Sequence, residues 1–538
     1  MTNTFHISPK LDQSQCDELK GTYLNAFHYD RVIDCDTDIY DADTGKPILK
    51  FRKKALPEDL LKIAWDNTHH LAKATRGRGA SAGPIDPKSI YWKKRDIYWT
   101  KKWSAKYMVK DKKTGEMKES SMKVNNEVAS NPIGYFGATK GLGLDLPCRL
   151  THYTKTNMEN YENSIPFFIE LSRMYRDLLP EKYLEQKQRA ELNENHIPGT
   201  PFSTITINRN FRTAVHKDSG DFGGWAVLSV LEENKYHGGL FVLPKYKIAV
   251  DLRHGDYLLC DVHQYHGNTE LYETPEDIIY NDTHPQTFKD NLEVGVLGLN
   301  NRFSRLSYVC YLREDLIKCP LKLNKFVISL DNETGKDRRE TGYDDTYHWW
   351  RGIDGKSELT YESESCQKMI SYHNILKTPQ HLGKTGCFLS HLTLLKHIVE
   401  HKINNVLIVE DDALKMRDLP NELPQDSITY LGGFIGNKKI TSKQKISIDH
   451  KDGINELDKE KYRMLTTLSY YCPRWEIAQE VFQALMKLKR WRAFDICLSN
   501  VVDKIYYQYP AVFIEEPYVS QIMNKDKTKN ANEFYEFS

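Results

Sequence analysis

Short apolar runs separated by glycines or charged turns characterise the first part of the chain. The runs are rich in β-branched and aromatic residues, which is typical of short strands that pair in sheets. They are STITINRN, GWAVLSVLE, GGLFVLP, KIAVDLR, GDYLLCDV and RLSYVCYLR. Several such strands joined by short turns predict a barrel or a double-sheet jelly roll.

The hydrophobic pattern changes near EDLIKCPLKLNKF, where a polar stretch precedes a new apolar run, FVISL. FLSHLTLLKHIVEHK then carries apolar residues at helical spacing, and NVLIVEDDA contains an apolar run typical of a buried strand. We interpret the polar segment after FVISL, which contains Arg338 and Arg339, as a loop. The pattern therefore predicts two domains, residues 1–318 and 319–538, the second of the α/β class.

The composition narrows the range of functions. The chain has 538 residues, more than one hydrophobic core normally serves. Its 75 Lys and Arg against 74 Asp and Glu mean that affinity for a polyanion has to come from a local patch. Without a long apolar run or a signal-peptide-like N-terminus, we expect a soluble chain in the cytoplasm or nucleus, with no membrane partner. The ten cysteines lack a C-x-x-C pair, which favours reduced thiols.

The stretch FRTAVHKDSGD brings two potential metal ligands to the end of a predicted strand. Side chains at positions i and i+2 of a strand point to the same face, so His216 and Asp218 can meet one ion. Two His and one carboxylate form the facial triad that holds Fe(II) and leaves positions open for substrate and O2. In CDVHQYHGNTE we favour His266 as the third ligand over His263, although H-x-D alone also fits a solvated turn.

A 2-oxoglutarate cosubstrate would need a cation for its distal carboxylate. Arginine suits this role because its planar guanidinium binds a carboxylate with two parallel hydrogen bonds. Arg305 opens the predicted strand RLSYVCYLR and is the favoured candidate, with Arg302 as the local alternative.

These segments together resemble the Tet/JBP family of Fe(II)/2-oxoglutarate dioxygenases. Members of that family oxidise the 5-methyl group of thymine or 5-methylcytosine in DNA. The resemblance covers about residues 75–315, from RGRGASAGPID through PCRLTHYTK to RLSYVCYLRE. It implies an α+β double-stranded β-helix (jelly-roll) domain that uses Fe(II), 2-oxoglutarate and O2.

The resemblance also implies roles for individual residues. His216, Asp218 and His266 match the iron ligands of the family, and Arg305 matches its 2-oxoglutarate arginine. Asp221 falls where some relatives place a residue on the pairing edge of the target base. A long segment, YETPEDIIYNDTHPQTFKDNLEVGVLGLNNRF, departs from the family pattern between the last histidine and the arginine.

A basic, aromatic stretch, IYWKKRDIYWTKKWSAKYMVKDKK, precedes this region of the chain. Cations can neutralise phosphates and aromatic rings can stack on displaced bases, so the stretch predicts a DNA-binding surface. The alternative is a pair of strands with the aromatic residues inside and the lysines in water. The residues concerned are Lys93, Lys94, Arg95, Lys101, Lys102 and Lys106, with Trp92, Tyr98, Trp99 and Trp103 between them.

The apolar run NVLIV ends in three acidic residues, Glu410, Asp411 and Asp412. At the carboxyl end of a strand in an open α/β sheet they would lie in the usual ligand crevice. Hard oxygen ligands there could hold Mn2+ or Mg2+ against the diphosphate of a nucleotide sugar. Taken alone, the E-D-D motif is also compatible with an ordinary acidic turn.

The segments FVISLD, GKTGCFLSH, VLIVEDDA and YLGG together resemble glycosyltransferase family 25, and the similarity extends across about residues 323–522. This resemblance implies an α/β GT-A-like domain that binds a UDP-sugar with Glu410, Asp411 and Asp412. We also assign Arg338 to the donor site and Asp495 to the acceptor side. His391 is compatible with a functional or a structural role.

The order of the two domains makes chemical sense, because a glycosyltransferase needs a hydroxyl nucleophile and an oxygenase can create one from a methyl group. We therefore predict a bifunctional enzyme of base-J-like DNA hypermodification. It would hydroxylate the 5-methyl group of thymine or, as a second choice, of 5-methylcytosine and then glycosylate the product. Two alternatives remain open. One is hydroxylation and glycosylation of lysine in a collagen-like protein, and the other is a catalytically inactive reader of modified DNA.

Overall fold

The structure is a computed structural model. It describes residues 2–88, 92–93, 95–141, 144–284, 302–369, 378–420, 422–438 and 450–515. The chain divides into two compact units, Met1–Cys319 and Pro320–Ser538, one residue beyond the predicted boundary. Within the described ranges, no helix combines the length and apolar character that crossing a membrane requires.

The first unit contains twenty-one described strands and six α-helices. The strands are β1 (Asn3–Ile7), β2 (Arg31–Ile33), β3 (Thr37–Asp41), β4 (Pro47–Arg52), β5 (Ala74–Thr75), β6 (Ile97–Lys101), β7 (Ser104–Lys110), β8 (Met117–Glu119), β9 (Val128–Phe136), β10 (Thr139–Gly141), β11 (Leu144–Leu146), β12 (Arg149–Leu150), β13 (Thr204–Arg209), β14 (Trp225–Glu233), β15 (His237–Gly238), β16 (Phe241–Leu243), β17 (Ile248–Val250), β18 (Tyr257–Asp261), β19 (Gly267–Asn268), β20 (Leu271–Tyr272) and β21 (Ser304–Tyr311). The helices are α1 (Gln13–Leu19), α2 (Glu58–Thr68), α3 (His152–Thr156), α4 (Met158–Leu178), α5 (Pro180–Ala190) and α6 (Pro275–Thr283).

Two sheets pack against each other in the first unit. The larger has the order β1-β3-β4-β18-β14-β21-β13-β9-β12, with β5 paired to β9, and the smaller has the order β19-β16-β17-β2. Successive side chains of a strand point to opposite faces, so Leu228 and Leu258 of the larger sheet meet Phe241 and Leu243 of the smaller one. The six strands predicted in this part of the chain are confirmed as β13, β14, β16, β17, β18 and β21.

Helices cover the other face of the larger sheet, and the sequence pattern did not predict them. On α4, buried residues recur every three or four positions, which is the period of a helix with one buried face. Phe167, Leu171 and Tyr175 of that face pack with Ile207 and Tyr308 of the sheet. The outer helices therefore bury the face of β13 and β21 that points away from the smaller sheet.

A disulfide joins Cys148 to Cys319, with the Cα atoms 5.6 Å apart. The prediction of reduced thiols was therefore wrong for this pair, whereas the other eight cysteines are free. The two residues are separated by 171 positions, and only the packing of the residues after β21 near β12 brings them together.

The second unit contains nine described strands and six α-helices. The strands are β22 (Asn324–Ser329), β23 (Tyr347–Arg351), β24 (Val406–Glu410), β25 (Ala413–Lys415), β26 (Ile428–Asn437), β27 (Gly453–Glu456), β28 (Tyr462–Cys472), β29 (Ile505–Tyr509) and β30 (Phe513–Glu515). The helices are α7 (Glu333–Gly342), α8 (Gly355–Glu358), α9 (Glu364–Lys368), α10 (Pro379–Glu400), α11 (Trp475–Lys487) and α12 (Phe494–Val501).

One mixed sheet organises the second unit, with the order β23-β22-β24-β28-β26-β29-β27 and with β25 and β30 at its side. β23, β22 and β24 run parallel, so their carboxyl ends meet at one edge. The apolar face of α10 packs on this sheet through Phe388, Leu395 and Ile398. The predicted strands FVISL and NVLIV correspond to β22 and β24, and the predicted helix lies within α10.

The segment after β22 forms helix α7, so our interpretation of it as a loop was wrong. Asn332 provides the physical reason, because its side chain accepts a hydrogen bond from the backbone N–H of Gly335 and caps the helix. Arg338 and Arg339 therefore lie on a helix next to the carboxyl end of the parallel strands.

Candidate active sites

The three predicted iron ligands converge in the first unit. The backbone N–H groups of His216 and His266 each donate to the carbonyl of the other, at 2.9 and 3.0 Å. Asp218 lies next to both rings, with Oδ1 3.6 Å from His216 Nε2 and Oδ2 3.6 Å from His266 Nε2. One ligand atom from each residue lies within 4.8 Å of the other two. Residues from two separate segments thus form one potential metal site.

Backbone carbonyls orient both imidazole rings. His216 Nδ1 lies 2.8 Å from the carbonyl oxygen of Ala214, and His266 Nδ1 lies 2.9 Å from that of Gln264. Because a carbonyl only accepts, each Nδ1 carries the proton and each Nε2 is available to a metal. Burial, and then the neighbouring His266, lower the pKa of His216 to about 4, so this ring is in the neutral, metal-binding form near pH 7. The geometry and donor set fit Fe(II).

Asp221 lines the cavity that contains these residues. Its Oδ2 atom is buried and has no hydrogen-bond partner among the described residues. Burial, and then the negative charge of Asp218, raise the pKa of Asp221 well above its ordinary value. The carboxyl group is therefore in a setting that favours its neutral form, which can donate as well as accept a hydrogen bond.

The structure distinguishes the two candidate arginines. Arg305 is 4% exposed, lines the same cavity and has a buried Nε atom without a hydrogen-bond partner in the part of the chain that the structure describes. The Arg302 side chain is 45% exposed and pairs with Asp282 at 2.7 Å and Glu273 at 3.8 Å. Only Arg305 of the two can meet a carboxylate bound beside the triad.

The positions of His263 and Arg78 relative to the triad also follow from the structure. His263 lies outside the triad, with Nε2 2.9 Å from the carbonyl oxygen of Asp221. Arg78 lines the cavity, and its buried Nη2 atom has no hydrogen-bond partner among the described residues. Sequence reasoning missed Arg78, although it lies in the segment RGRGASAGPID, because nothing local distinguishes it from a surface arginine.

In the second unit, neighbouring side chains contact Glu410 and Asp411 at the acidic end of β24. Glu410 Oε1 accepts a hydrogen bond from Thr467 Oγ1 at 2.6 Å and lies 3.1 Å from His391 Nε2. Asp411 accepts from Ser329 Oγ at 2.8 Å and from Arg338 Nη1 at 3.1 Å. The structure therefore brings the predicted Arg338 directly to the acidic motif.

Burial raises the pKa of Asp411, while Ser329 and Arg338 oppose that effect. Asp412 is half-buried next to Tyr343, and its charge contributes, after burial, to raising the pKa of that hydroxyl. Tyr343 in turn donates to the backbone carbonyl of Glu410 at 2.8 Å. The acidic motif thus lies in a low-dielectric setting where a cation would interact strongly with it.

Asp495, the predicted acceptor-side carboxylate, is held by two backbone N–H groups. Thr466 donates to Oδ2 and Ile496 donates to Oδ1, both at 2.8 Å. Burial raises the pKa of Asp495, and the charge of Glu410 contributes. Thr466 has φ +63°, a left-handed conformation that a β-branched residue rarely adopts, so local strain accompanies this contact.

The basic stretch forms a small sheet of β6, β7 and β8, and it only partly matches the predicted DNA surface. Lys93, Arg95, Lys101 and Lys102 are exposed, whereas Lys94 lies outside the described residues. Tyr98 is 45% exposed and is available for stacking. Trp92 is 2% exposed and packs with Ile85 and Ala105, so its predicted role in stacking on bases was wrong.

Two family descriptions match the chain in sequence order. Residues 133–314 match Tet_JBP, the oxygenase domain of the 2OGFeDO superfamily, and residues 322–444 match glycosyltransferase family 25 (LPS biosynthesis protein). The prediction of a double-stranded β-helix oxygenase domain in the first part of the chain is thereby confirmed.

Similar proteins include thymine dioxygenases of trypanosomatids. Thymine dioxygenase JBP1 of Trypanosoma brucei brucei is 36% identical over an alignment of 322 residues that covers 57% of this chain and 34% of that protein. Thymine dioxygenase JBP1-B of Trypanosoma cruzi is 35% identical over 188 residues, 35% of this chain and 20% of that protein. The chain thus spans about a fifth to a third of the length of these relatives.

Among solved structures, NgTET1 in complex with 5mC DNA is similar with a TM-score of 0.33 and 10% identity, over 58% of this chain and 83% of that one. The family matches indicate enzymatic activity in both parts of the molecule. In sequence order, the chain thus contains a Tet_JBP oxygenase domain at residues 133–314 and a glycosyltransferase family 25 domain at residues 322–444.

Proposed function

We propose that the chain hydroxylates the 5-methyl group of thymine in DNA and then transfers a sugar from a UDP-sugar to the new hydroxyl. The observation that carries this proposal is the shared cavity of the triad, Asp221 and Arg305. A metal site, a carboxylate-binding cation and a hydrogen-bonding acid would there serve the metal, the cosubstrate and the base, respectively. The similarity to proteins named thymine dioxygenases favours thymine.

His216, Asp218 and His266 would hold Fe(II), which activates O2 with electrons supplied by oxidative decarboxylation of 2-oxoglutarate. Arg305 would bind the distal carboxylate of 2-oxoglutarate through its guanidinium fork. Asp221 in its neutral form would hydrogen-bond the pairing edge of a base that has left the DNA stack. Together these contacts would position the 5-methyl group near the metal.

The second step would use the acidic end of β24. The described sheet, with parallel β22, β23 and β24 and an acidic strand end, supports a GT-A-like arrangement for binding a UDP-sugar. Asp411 and Asp412 would face a Mn2+ or Mg2+ ion that neutralises the diphosphate leaving group, and Arg338 would add positive charge. Asp495 would act on the acceptor hydroxyl as a base.

The exposed cations of β6 and of the segments that flank it would contact DNA phosphates. Lys93, Lys101 and Lys102 are exposed, and Tyr98 next to them offers a partly exposed ring. Because the net charge of the chain is only +1, this local patch would dominate binding, and the affinity would fall with increasing salt.

Mass spectrometry of nucleosides tests the proposal. DNA containing thymine, with or without 5-methylcytosine, is incubated with the protein, Fe(II), 2-oxoglutarate and a panel of UDP-sugars. The expected product is 5-hydroxymethyluracil, followed by a nucleoside heavier by one hexose. Modification of 5-methylcytosine alone would assign a different base. Hexose on lysine of a collagen-like peptide, with unmodified DNA in the same mixture, would replace DNA by protein as the acceptor.

A further inference from the structure

A second group of potential metal ligands lies in the unit Pro320–Ser538. Cys387, His391 and Glu410 each offer one ligand atom, and these atoms lie within 4.8 Å of one another. Cys387 and His391 are four residues apart on α10, so they share one face of the helix. Glu410 approaches them from the end of β24. The cluster therefore joins a helix to the strand on which it packs.

The surroundings orient two of these ligands. His391 Nδ1 lies 3.1 Å from the hydroxyl of Tyr470, and its ring stacks on Phe494 with the centroids 4.4 Å apart. Thr467 Oγ1 donates to Glu410 Oε1, the atom that lies 3.1 Å from His391 Nε2. An imidazole supported through its other nitrogen and a carboxylate that accepts a hydrogen bond are typical of metal ligands.

We propose that Cys387, His391 and Glu410 bind one Zn2+ ion. Thiolate, imidazole and carboxylate ligands suit zinc, whereas Mg2+ and Mn2+ prefer sets of oxygen ligands. Three protein ligands would leave one position of a tetrahedral zinc site for a further ligand. His391 is 1% exposed, whereas Cys387 and Glu410 are half-buried, and an ion bound to all three would fix α10 to the end of β24.

This assignment changes the role of the acidic motif. Glu410 would be a zinc ligand, and Asp411 and Asp412 would remain for the nucleotide-sugar metal. Zinc would bind the thiolate form of Cys387, so binding would release the thiol proton into solvent. The site requires no change in the iron triad of the first unit.

Cobalt spectroscopy tests the site in the full chain. The protein is freed of metal with a chelator and titrated with Co2+, which gives sulfur-to-metal charge-transfer absorption only when a thiolate is bound. We expect this absorption in the wild type and in Asp218→Ala, because the triad has no sulfur. Cys387→Ser should abolish the absorption. Cys366→Ser, a change at a buried cysteine on α9, should keep it as the matched control.

A measurement on the wild type covers the case in which Cys387→Ser does not fold. Alkylation of Cys387 by iodoacetamide is followed by peptide mass spectrometry with added Zn2+ and with chelator. Protection by zinc, with labelling slowed several-fold, supports the site. Equal labelling rates, or Co2+ spectra of the wild type without charge-transfer absorption, overturn it and identify His391 and Glu410 as a hydrogen-bonded pair.

Discussion

The two clusters of histidine and carboxylate differ in what holds them in place. In the first unit, backbone carbonyls accept from His216 and His266 Nδ1, and the triad lines an accessible cavity. In the second unit, side chains take this role, because the Tyr470 hydroxyl lies 3.1 Å from His391 Nδ1 and the Thr467 hydroxyl donates to Glu410. Ligands that are oriented by backbone carbonyls depend little on the identity of the side chains around them. Ligands that are oriented by side chains depend on how those side chains pack in the core.

The two sites also differ in whether their polar groups already have hydrogen-bond partners. The first cavity contains polar atoms of Asp221 and Arg305 that have no hydrogen-bond partner within the described ranges, and these atoms can hydrogen-bond small molecules. The acidic strand end of the second unit is already paired, since Asp411 contacts Ser329 and Arg338. A ligand of the second site would therefore have to compete with existing contacts, while a ligand of the first could hydrogen-bond these atoms of Asp221 and Arg305 directly.

The largest effect expected is on the first cluster. Asp218→Ala removes one of three protein ligands, so hydroxylation of DNA should fall to background. Transfer of a sugar to DNA that already contains 5-hydroxymethyluracil should continue, because the two steps use different clusters. Both reactions are measured by mass spectrometry of nucleosides. Hydroxylation at the wild-type rate would show that the triad is not the iron site.

The reciprocal change is Asp412→Ala. It should remove a metal-facing oxygen from the donor site and weaken stabilisation of the leaving group by several kcal/mol. With all substrates present, the variant should accumulate 5-hydroxymethyluracil without added hexose. Hexose transfer at the wild-type rate would move the donor metal away from the end of β24.

Arg305→Lys sharpens the assignment of the cosubstrate site. Lysine keeps the charge but loses the bidentate fork, so KM for 2-oxoglutarate should rise about tenfold, equivalent to about 1.4 kcal/mol. Arg302→Lys is the matched control, because Arg302 pairs with Asp282 outside the cavity, and it should leave KM unchanged. The opposite result would exchange the two assignments.

The smallest effect is expected for DNA affinity when exposed lysines at the end of β6 are replaced. Lys101→Ala combined with Lys102→Ala should weaken DNA binding and reduce the slope of log affinity against log salt by up to about 2, if each lysine contacts one phosphate. The same changes at Lys62 and Lys182, exposed lysines on α2 and α5, serve as the control. The DNA affinity of both double variants is measured by fluorescence anisotropy at a series of salt concentrations. An identical loss in the two variants would remove β6 from the DNA interface.

The sequence by itself determined the features that depend only on residues close together along the chain. The eight strands predicted in the two units follow from local apolar patterns. The two-residue spacing of His216 and Asp218 is also visible in the sequence, but the structure places His216 on an isolated bridge to His266, beyond the end of β13, and not at the end of a regular strand. The acidic end of β24 is equally visible, since an apolar run stops at Glu410. These features survive folding because a strand keeps its local geometry wherever it packs.

Only the tertiary structure decided between candidate residues that are close together in sequence. Only the tertiary structure, likewise, paired residues that are far apart in sequence. His266 rather than His263 meets His216 because their backbones pair across two segments. Arg305 rather than Arg302 enters the cavity because it lies on β21, whereas Arg302 precedes the strand. The disulfide joining Cys148 to Cys319 likewise depends on long-range packing. Long-range backbone pairing and core packing choose among chemically equivalent side chains, and no local pattern records that choice.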